Sequence, residues 1–231
     1  MVAVNAAGGT ISLLVGAVLM RLTVTGTYRR YVRGGMGPWL AAAAVAVIVI
    51  GIVTVARAIR STPPIDPDRS HGAHVGAGWL LLAPISALLL VAPPTLGSFG
   101  VDRGATVDIR AGAAVFDPLP ADAPARPMTL LEFGQRSFDR DGTSLRGASV
   151  LLTGFVAGTG EGSFPLARYQ IACCAADATP VVIRIVGVAG DRPARDQWVT
   201  VTGTFAGIVD DVPELAATSV VEIPAPEDPY E

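Results

Sequence analysis

The sequence contains no lysine, and its charged residues are both few and unevenly distributed. They make up 16% of the 231 residues, against roughly 25% in ordinary soluble domains. Residues 1–20, 34–56 and 70–101 contain no charged side chain, whereas residues 102–231 have a composition typical of soluble proteins. The chain is therefore predicted to have two parts of different character.

Histidine is also rare, and the motifs of common enzyme classes are missing. The only two histidines are His71 and His74, so residues 102–231 offer no imidazole for acid–base catalysis. The sequence contains no G-x-S-x-G elbow, no phosphate-binding P-loop and no H-E-x-x-H zinc motif. We therefore predict that the protein is not an enzyme.

The chain lacks the basic surplus that is typical of nucleic-acid-binding proteins. Its formal net charge is −3, and from residue 151 onward it has four arginines against eleven acidic side chains. An acidic surface repels the phosphate backbone of DNA and RNA. No nucleic-acid partner is expected.

Three apolar segments are long enough to cross a lipid bilayer as helices, which takes about 20 residues. They are residues 2–20, 38–56 and 76–96. Trp39 and Trp79 stand near the start of the second and third segments, where an indole ring favours the headgroup region. We therefore predict a transmembrane domain over residues 1–101, with three helices and the lipid bilayer as a partner.

The arginines between and after these segments predict an orientation. With the N-terminus outside, six of these arginines lie on the cytoplasmic side and three lie outside, as the positive-inside rule requires. The protein is therefore expected to be a multi-pass protein of the cell membrane, with its C-terminal domain in the cytoplasm.

The C-terminal part is predicted to be a small all-β domain. Residues 102–127 are rich in alanine, proline and aspartate and are typical of a tether, whereas residues 128–231 form the soluble domain. Within this domain, residues 128–136 can form a short helix or an extended edge. Five runs with the residue pattern of strands follow: 148–157, 164–174, 180–188, 197–207 and 218–224.

Five short strands in a domain of this size favour a closed barrel with few free edges. The oligonucleotide/oligosaccharide-binding barrel, or OB-fold, has this number of strands. A small sandwich gives the same pattern. The predicted fold class is therefore a membrane α-helical part with three transmembrane helices, joined to a C-terminal OB-fold-like barrel.

Cys173 and Cys174 are adjacent, and Asp177 follows closely. Thiolates suit soft metals or metalloids such as zinc, copper(I) and arsenite, so these three residues form a candidate metal site. In the alternative interpretation, one cysteine is a small apolar residue of the barrel core and Asp177 caps the following turn. Neighbouring residues on a strand point to opposite faces, so a disulfide between the two cysteines would be strained.

His71 and His74 form a second candidate metal pair. Their spacing places both imidazoles on one face of a helix, at the predicted membrane surface. Two ligands alone do not hold zinc, and the alternative is a solvated loop. The cofactor is therefore unknown from the sequence, with zinc or another soft metal as the candidate.

Several segments together resemble a known family. They are GFV (154–156), LARYQIACCAADATPV (166–181), WVTVTG (198–203) and the ending DPYE (228–231). With the preceding helices, they resemble the YcgQ-like family of bacterial membrane proteins. The resemblance implies an accessory subunit that is paired with a predicted multi-helix permease of the organoarsenical-permease type. Some relatives carry a histidine-rich loop between helices two and three, of which this chain keeps only His71 and His74.

Three functions follow as hypotheses. The first is a non-enzymatic membrane accessory subunit of a permease, which presents a soluble OB-like domain in the cytoplasm. The second is a membrane protein that binds a metal or metalloid through Cys173 and Cys174. The third is a cell-envelope adaptor whose β domain faces outward.

Overall fold

The computed structural model describes residues 2–60, 96–103, 106–109, 115–160, 162–188 and 192–231, with side chains from residue 8 onward. The chain forms two compact units. One unit contains two long helices, and the other contains residues 30–33 together with the described residues from 96 onward.

The helical unit is built from α1 (Val2–Val24) and α2 (Gly37–Arg60). The predicted helical segments 2–20 and 38–56 are thereby confirmed as helices, and the predicted segment 76–96 lies outside the described residues except for its last position. Among the described residues, one stretch, Gly34–Arg60, is long and apolar enough to cross a membrane. The apolar part of α1 whose side chains are described, Gly8–Val24, is shorter.

Glycines allow α1 and α2 to approach each other closely. A Cβ atom added at Gly9 would lie 2.7 Å from Val55 Cγ2, and one added at Gly51 would lie 2.8 Å from Leu13 Cγ. Carbon atoms do not approach this closely without displacement, since the optimal separation is about 3.5–4.0 Å. The spacing of the two helices therefore depends on the absence of side chains at these positions.

The second unit is a β-sheet domain with short helices. Its strands are β1 (Arg126–Pro127), β2 (Ser149–Val156), β3 (Ser163–Gln170), β4 (Thr179–Val186), β5 (Trp198–Val209) and β6 (Val212–Ile223). Helix α3 (Ser98–Val101) and helix α4 (Leu130–Phe138) precede β2, and 3-10 turns lie at Asp139–Leu145 and Ala175–Asp177. Each of the five predicted runs contains a strand, although the run 164–174 is a strand only as far as Gln170 and the run 218–224 belongs to the longer strand β6.

The sheet closes on itself. Its strand order is β1-β2-β3-β4-β6-β5, and β5 also pairs with β2. The closing β2–β5 ladder is antiparallel from Ser149↔Thr204 to Phe155↔Trp198, whereas β4 and β6 run parallel. The tight β5–β6 turn has positive φ angles at Asp210 and Asp211, a conformation that aspartate tolerates better than most residues.

The core fills the inside of this ring. Along β5, Val199 and Val201 are fully buried, while Thr200 and Thr202, which alternate with them, are partly exposed. This alternation is that of a strand with one face in the core. Helix α4 packs against the same core through side chains that include Phe133. Leu152, Leu166, Ile183 and Leu215 bring the other strands into it.

A second apolar cluster lies on the outer side of the ring. Phe155 stacks on Tyr169 at a centroid distance of 5.8 Å and meets the Trp198 ring edge-on at 5.6 Å. Tyr230 from the C-terminal segment belongs to the same cluster and is 6% exposed. This explains how Trp198 is buried although it points away from the main core.

The C-terminal segment lies beside β3 and reaches α4. Tyr230 forms a parallel bridge with Tyr169, and the Glu231 N–H donates to the Tyr169 carbonyl at 2.9 Å. The Glu231 carboxylate accepts from the N–H groups of Leu130 and Leu131 at 2.8 and 3.3 Å. Both N–H groups belong to the first turn of α4, where the backbone donors have no partner within the helix. A carboxylate at this position stabilises the helix.

Part of the predicted tether, 102–127, is held by contacts with the β domain. Leu119 packs into the main core, and its N–H donates to the Ser144 carbonyl at 2.9 Å. Arg136 donates to the Asp117 carbonyl at 3.1 Å and lies over the Phe116 ring at 4.4 Å. Residues 115–127 are therefore fixed on the β domain, while the domain boundaries given above stay predictions.

The close approach of α1 and α2 predicts that alanine substitutions at two neighbouring glycines have different effects on stability. Gly9→Ala should lower the thermal midpoint of the detergent-solubilised protein, since the new methyl group meets Val55 and overpacking costs about 1–3 kcal/mol. Gly8→Ala is the matched control, because nothing lies within 4 Å of a Cβ atom there. Equal midpoints for the two variants would contradict the packing described.

Candidate functional site

Cys173 and Cys174 lie beyond the end of β3, which stops at Gln170. Both are free thiols; Cys173 is exposed and Cys174 is partly buried. The interpretation that places one cysteine in the barrel core is therefore wrong. Strand alternation does not reach these residues, because the chain has already turned away from the sheet.

Asp177 closes the loop that carries the two thiols. Its Oδ1 accepts from the Ala172 N–H at 2.9 Å, and its Oδ2 accepts from the N–H groups of Cys173 and Cys174 at 2.9 and 3.3 Å. In return, the Cys174 sulfur accepts from the Asp177 N–H in a capping-box arrangement. Asp177 thus holds the turn before it, and not the following turn that the sequence suggested.

Backbone contacts with residues 31–33 also hold the loop that carries the two thiols. Val32 and Cys174 form an antiparallel bridge, the Arg33 N–H donates to the Cys173 carbonyl at 3.1 Å, and the Ala175 N–H donates to the Tyr31 carbonyl at 2.7 Å. Sequence reasoning missed this segment, because residues so distant in the chain share no local pattern with the loop.

The loop places both sulfur atoms on the same side. The Sγ atoms of Cys173 and Cys174 are 3.6 Å apart, and together with an Asp177 carboxylate oxygen they lie within 4.8 Å of one another. The expectation that the two side chains point to opposite faces is therefore wrong, for the reason that they are not on a strand. His71 and His74 lie outside the described residues, so the metal-binding role of all five residues stays a prediction.

The Asp177 carboxylate favours the protonated form of the Cys173 thiol. The hydrogen bond to the Asp177 carboxylate, followed by that to Cys174, raises the pKa of Cys173 to about 12. The same bond from Cys173, with the backbone N–H groups, lowers the pKa of Asp177 to about 2. At neutral pH Asp177 is ionised and Cys173 is a thiol, so a metal ion would have to displace that proton.

This arrangement predicts an unusual pH dependence of alkylation. In a Cys174→Ser background, the rate at which iodoacetamide modifies Cys173 should continue to rise above pH 9, because only the thiolate reacts. Adding Asp177→Asn should move the profile to lower pH, since the carboxylate that holds the proton is gone. Mass spectrometry of the modified peptide measures the rate, and a profile that levels off near pH 9 in the parent would contradict the assigned hydrogen bond.

The comparison with known families concerns this part of the chain. Residues 139–231 match the family described as the DUF1980 C-terminal domain. No curated protein matches the chain. The family match begins at the 3-10 turn after α4, spans strands β2–β6 and includes Cys173, Cys174 and Asp177. The C-terminal β-sheet domain is therefore similar to the DUF1980 C-terminal domain over residues 139–231.

Proposed function

We propose that this protein is a non-enzymatic accessory subunit of a membrane permease, anchored by its helices and presenting its β domain to the partner. The observation that carries the proposal is the exposed apolar surface of α2. Trp39, Ile50 and Ile52 are 73%, 60% and 54% exposed. Water-facing surfaces rarely carry such a contiguous apolar face, whereas lipid or a neighbouring membrane helix covers it favourably.

The β domain fits the role of a binding module. Five strands, β2 to β6, form a ring through the added β2–β5 pairing. That order is what an OB-fold-like barrel requires, and such barrels bind partners on their outer strands and loops. We infer an OB-fold-like architecture on this ground, and the resemblance to YcgQ-like proteins supplies the multi-helix permease as the partner.

Membrane topology is part of the same proposal. The loop arginines favour a multi-pass protein with the C-terminal domain in the cytoplasm, by six to three. Free thiols such as those of Cys173 and Cys174 are common in cytoplasmic proteins. The rival with the β domain outside, a cell-envelope adaptor, requires the opposite orientation.

Reporter fusions test this topology. A fluorescent protein fused after Glu231 should fluoresce and alkaline phosphatase at the same position should be inactive, because the enzyme needs an oxidising compartment. Phosphatase fused after Arg60 is the control and should be active. Pull-down of the solubilised full chain should then recover a multi-helix permease in comparable amount. An active phosphatase at Glu231 would support the envelope adaptor instead, and recovery of the chain alone would contradict the accessory role.

A second candidate function is the binding of a soft metal or metalloid. The observation in its favour is the 3.6 Å separation of the Cys173 and Cys174 sulfur atoms on an exposed loop. Two adjacent thiols and a carboxylate are donors that zinc and related ions accept. An accessory subunit with such a site would deliver or sense the ion that its partner handles.

Elemental analysis tests this second candidate. Full-length protein purified without chelator should contain a stoichiometric soft metal, and the content should fall at least tenfold in Cys173→Ser and in Cys174→Ser, since each removes a donor. Ser163→Ala, which leaves the loop untouched, is the control. Metal content that is equal in all four proteins would exclude the cysteine pair as the site.

A further inference from the structure

The separation of the two sulfur atoms favours one coordination geometry for an ion bound by the cysteine pair. Two thiolates bound to one ion at about 2.3 Å lie about 3.8 Å apart in ideal tetrahedral geometry and about 4.6 Å apart in linear geometry. The observed distance is 3.6 Å, which corresponds to an angle of about 103° at the ion for the same bond length. In the metal-free loop the pair therefore lies near the separation of a bent site of zinc type and about 1.0 Å short of that of a linear one.

Asp177 is placed to supply a third donor. A carboxylate offers about four acceptor positions, and three of those of Asp177 are used by the N–H groups of Ala172, Cys173 and Cys174. The fourth position accepts the Cys173 thiol, and it becomes available to an ion when that proton is displaced. The backbone bonds fix the carboxylate, as outer hydrogen bonds do for the ligands of known metal sites.

The fourth position is open. Within the described part of the chain, no other histidine, cysteine or acidic side chain belongs to this group of donors, and Cys173 and Asp177 are exposed. Structural zinc sites have four protein ligands, whereas sites that exchange a ligand have three. Since none of the described residues supplies a fourth ligand, the proposed site takes water or a donor from another molecule at that position.

We propose that Cys173, Cys174 and Asp177 form an open, three-donor site for a zinc-class divalent ion, which the protein exchanges with a donor on a second molecule. This inference rests on the second candidate function and specifies its ion and its coordination. The loop backbone is already fixed before an ion binds, because residues 31–33 form hydrogen bonds with it on both sides of the thiols. Exposure then lets an incoming thiolate or imidazole reach the ion without unfolding of the loop.

Cobalt(II) titration of the full chain in detergent tests the geometry. Co²⁺ replaces zinc and should give the strong visible bands of a tetrahedral thiolate site at one ion per chain, which one equivalent of Zn²⁺ should abolish. Imidazole should shift these bands without removing the ion, because it enters the open position. Asp177→Asn should weaken zinc binding about tenfold or more while the thiolate band persists. Asp210→Asn, an exposed aspartate in the β5–β6 turn, is the control, and circular dichroism verifies that each variant is folded.

Different results would overturn different claims. Binding of copper(I) in linear coordination, with no binding of Zn²⁺ or Co²⁺, would refute the zinc-class site and leave the soft-metal function standing. Bands that do not respond to imidazole, or one ion per two chains, would show a closed site and refute exchange through an open position. Binding of none of the three ions would refute both the inference and the second candidate function.

Discussion

The β2–β5 ladder is the interaction on which the architecture of the C-terminal unit depends. Seven antiparallel residue pairs, from Ser149↔Thr204 to Phe155↔Trp198, join β5 to β2 and close the ring of strands β2 to β6. Closure gives the sheet an inside, where Leu152 and Val201 are excluded from water. Each such side chain contributes roughly 1.5–3 kcal/mol by burial. Closure of the sheet also removes most of its free edge, at which strands of other chains could otherwise pair.

Closure also creates an outer surface that the chain covers itself. Phe155, Tyr169 and Trp198 form a cluster there, to which Tyr230 adds a fourth ring. Arg168 holds the same C-terminal segment through the carbonyl groups of residues 228 and 230, at 2.8 and 3.2 Å. The Tyr230 hydroxyl donates to the Arg30 carbonyl at 2.8 Å. The C-terminal segment and residues 30–33 thus lie next to the loop that carries the thiols.

One carboxylate decides both the shape and the chemistry of that loop. Asp177 accepts three backbone N–H groups, which fixes the turn, and it accepts the Cys173 thiol, which raises the pKa of that thiol. At the proposed metal site, ion binding would therefore have to offset the free energy of ionising the Cys173 thiol. An ion bound there would replace the thiol proton and leave the backbone hydrogen bonds of Asp177 in place, so the proposed site would keep its loop geometry.

The sequence was sufficient for the features that depend on local pattern. Apolar runs predicted the helices at 2–20 and 38–56, and alternation predicted the strands, because side-chain periodicity reflects secondary structure directly. The sequence also indicated Cys173, Cys174 and Asp177 as one candidate metal site, since the three residues are close in the chain. It did not indicate the close approach of α1 and α2, although Gly9 and Gly51 lie at the contact, because glycine spacing has no meaning until the facing helix is known.

Only the tertiary structure decided where the cysteines point. The sequence pattern continued the strand through residue 174, but β3 ends at Gln170, and the bonds from Asp177 and from residues 31–33 bend the chain so that both thiols face the same side. The helix cap that Glu231 supplies to Leu130 was equally unpredictable. The sequence determined the elements and the donor residues, because these follow from neighbours in the chain. The fold decided the donor geometry, because hydrogen bonds between distant segments set it.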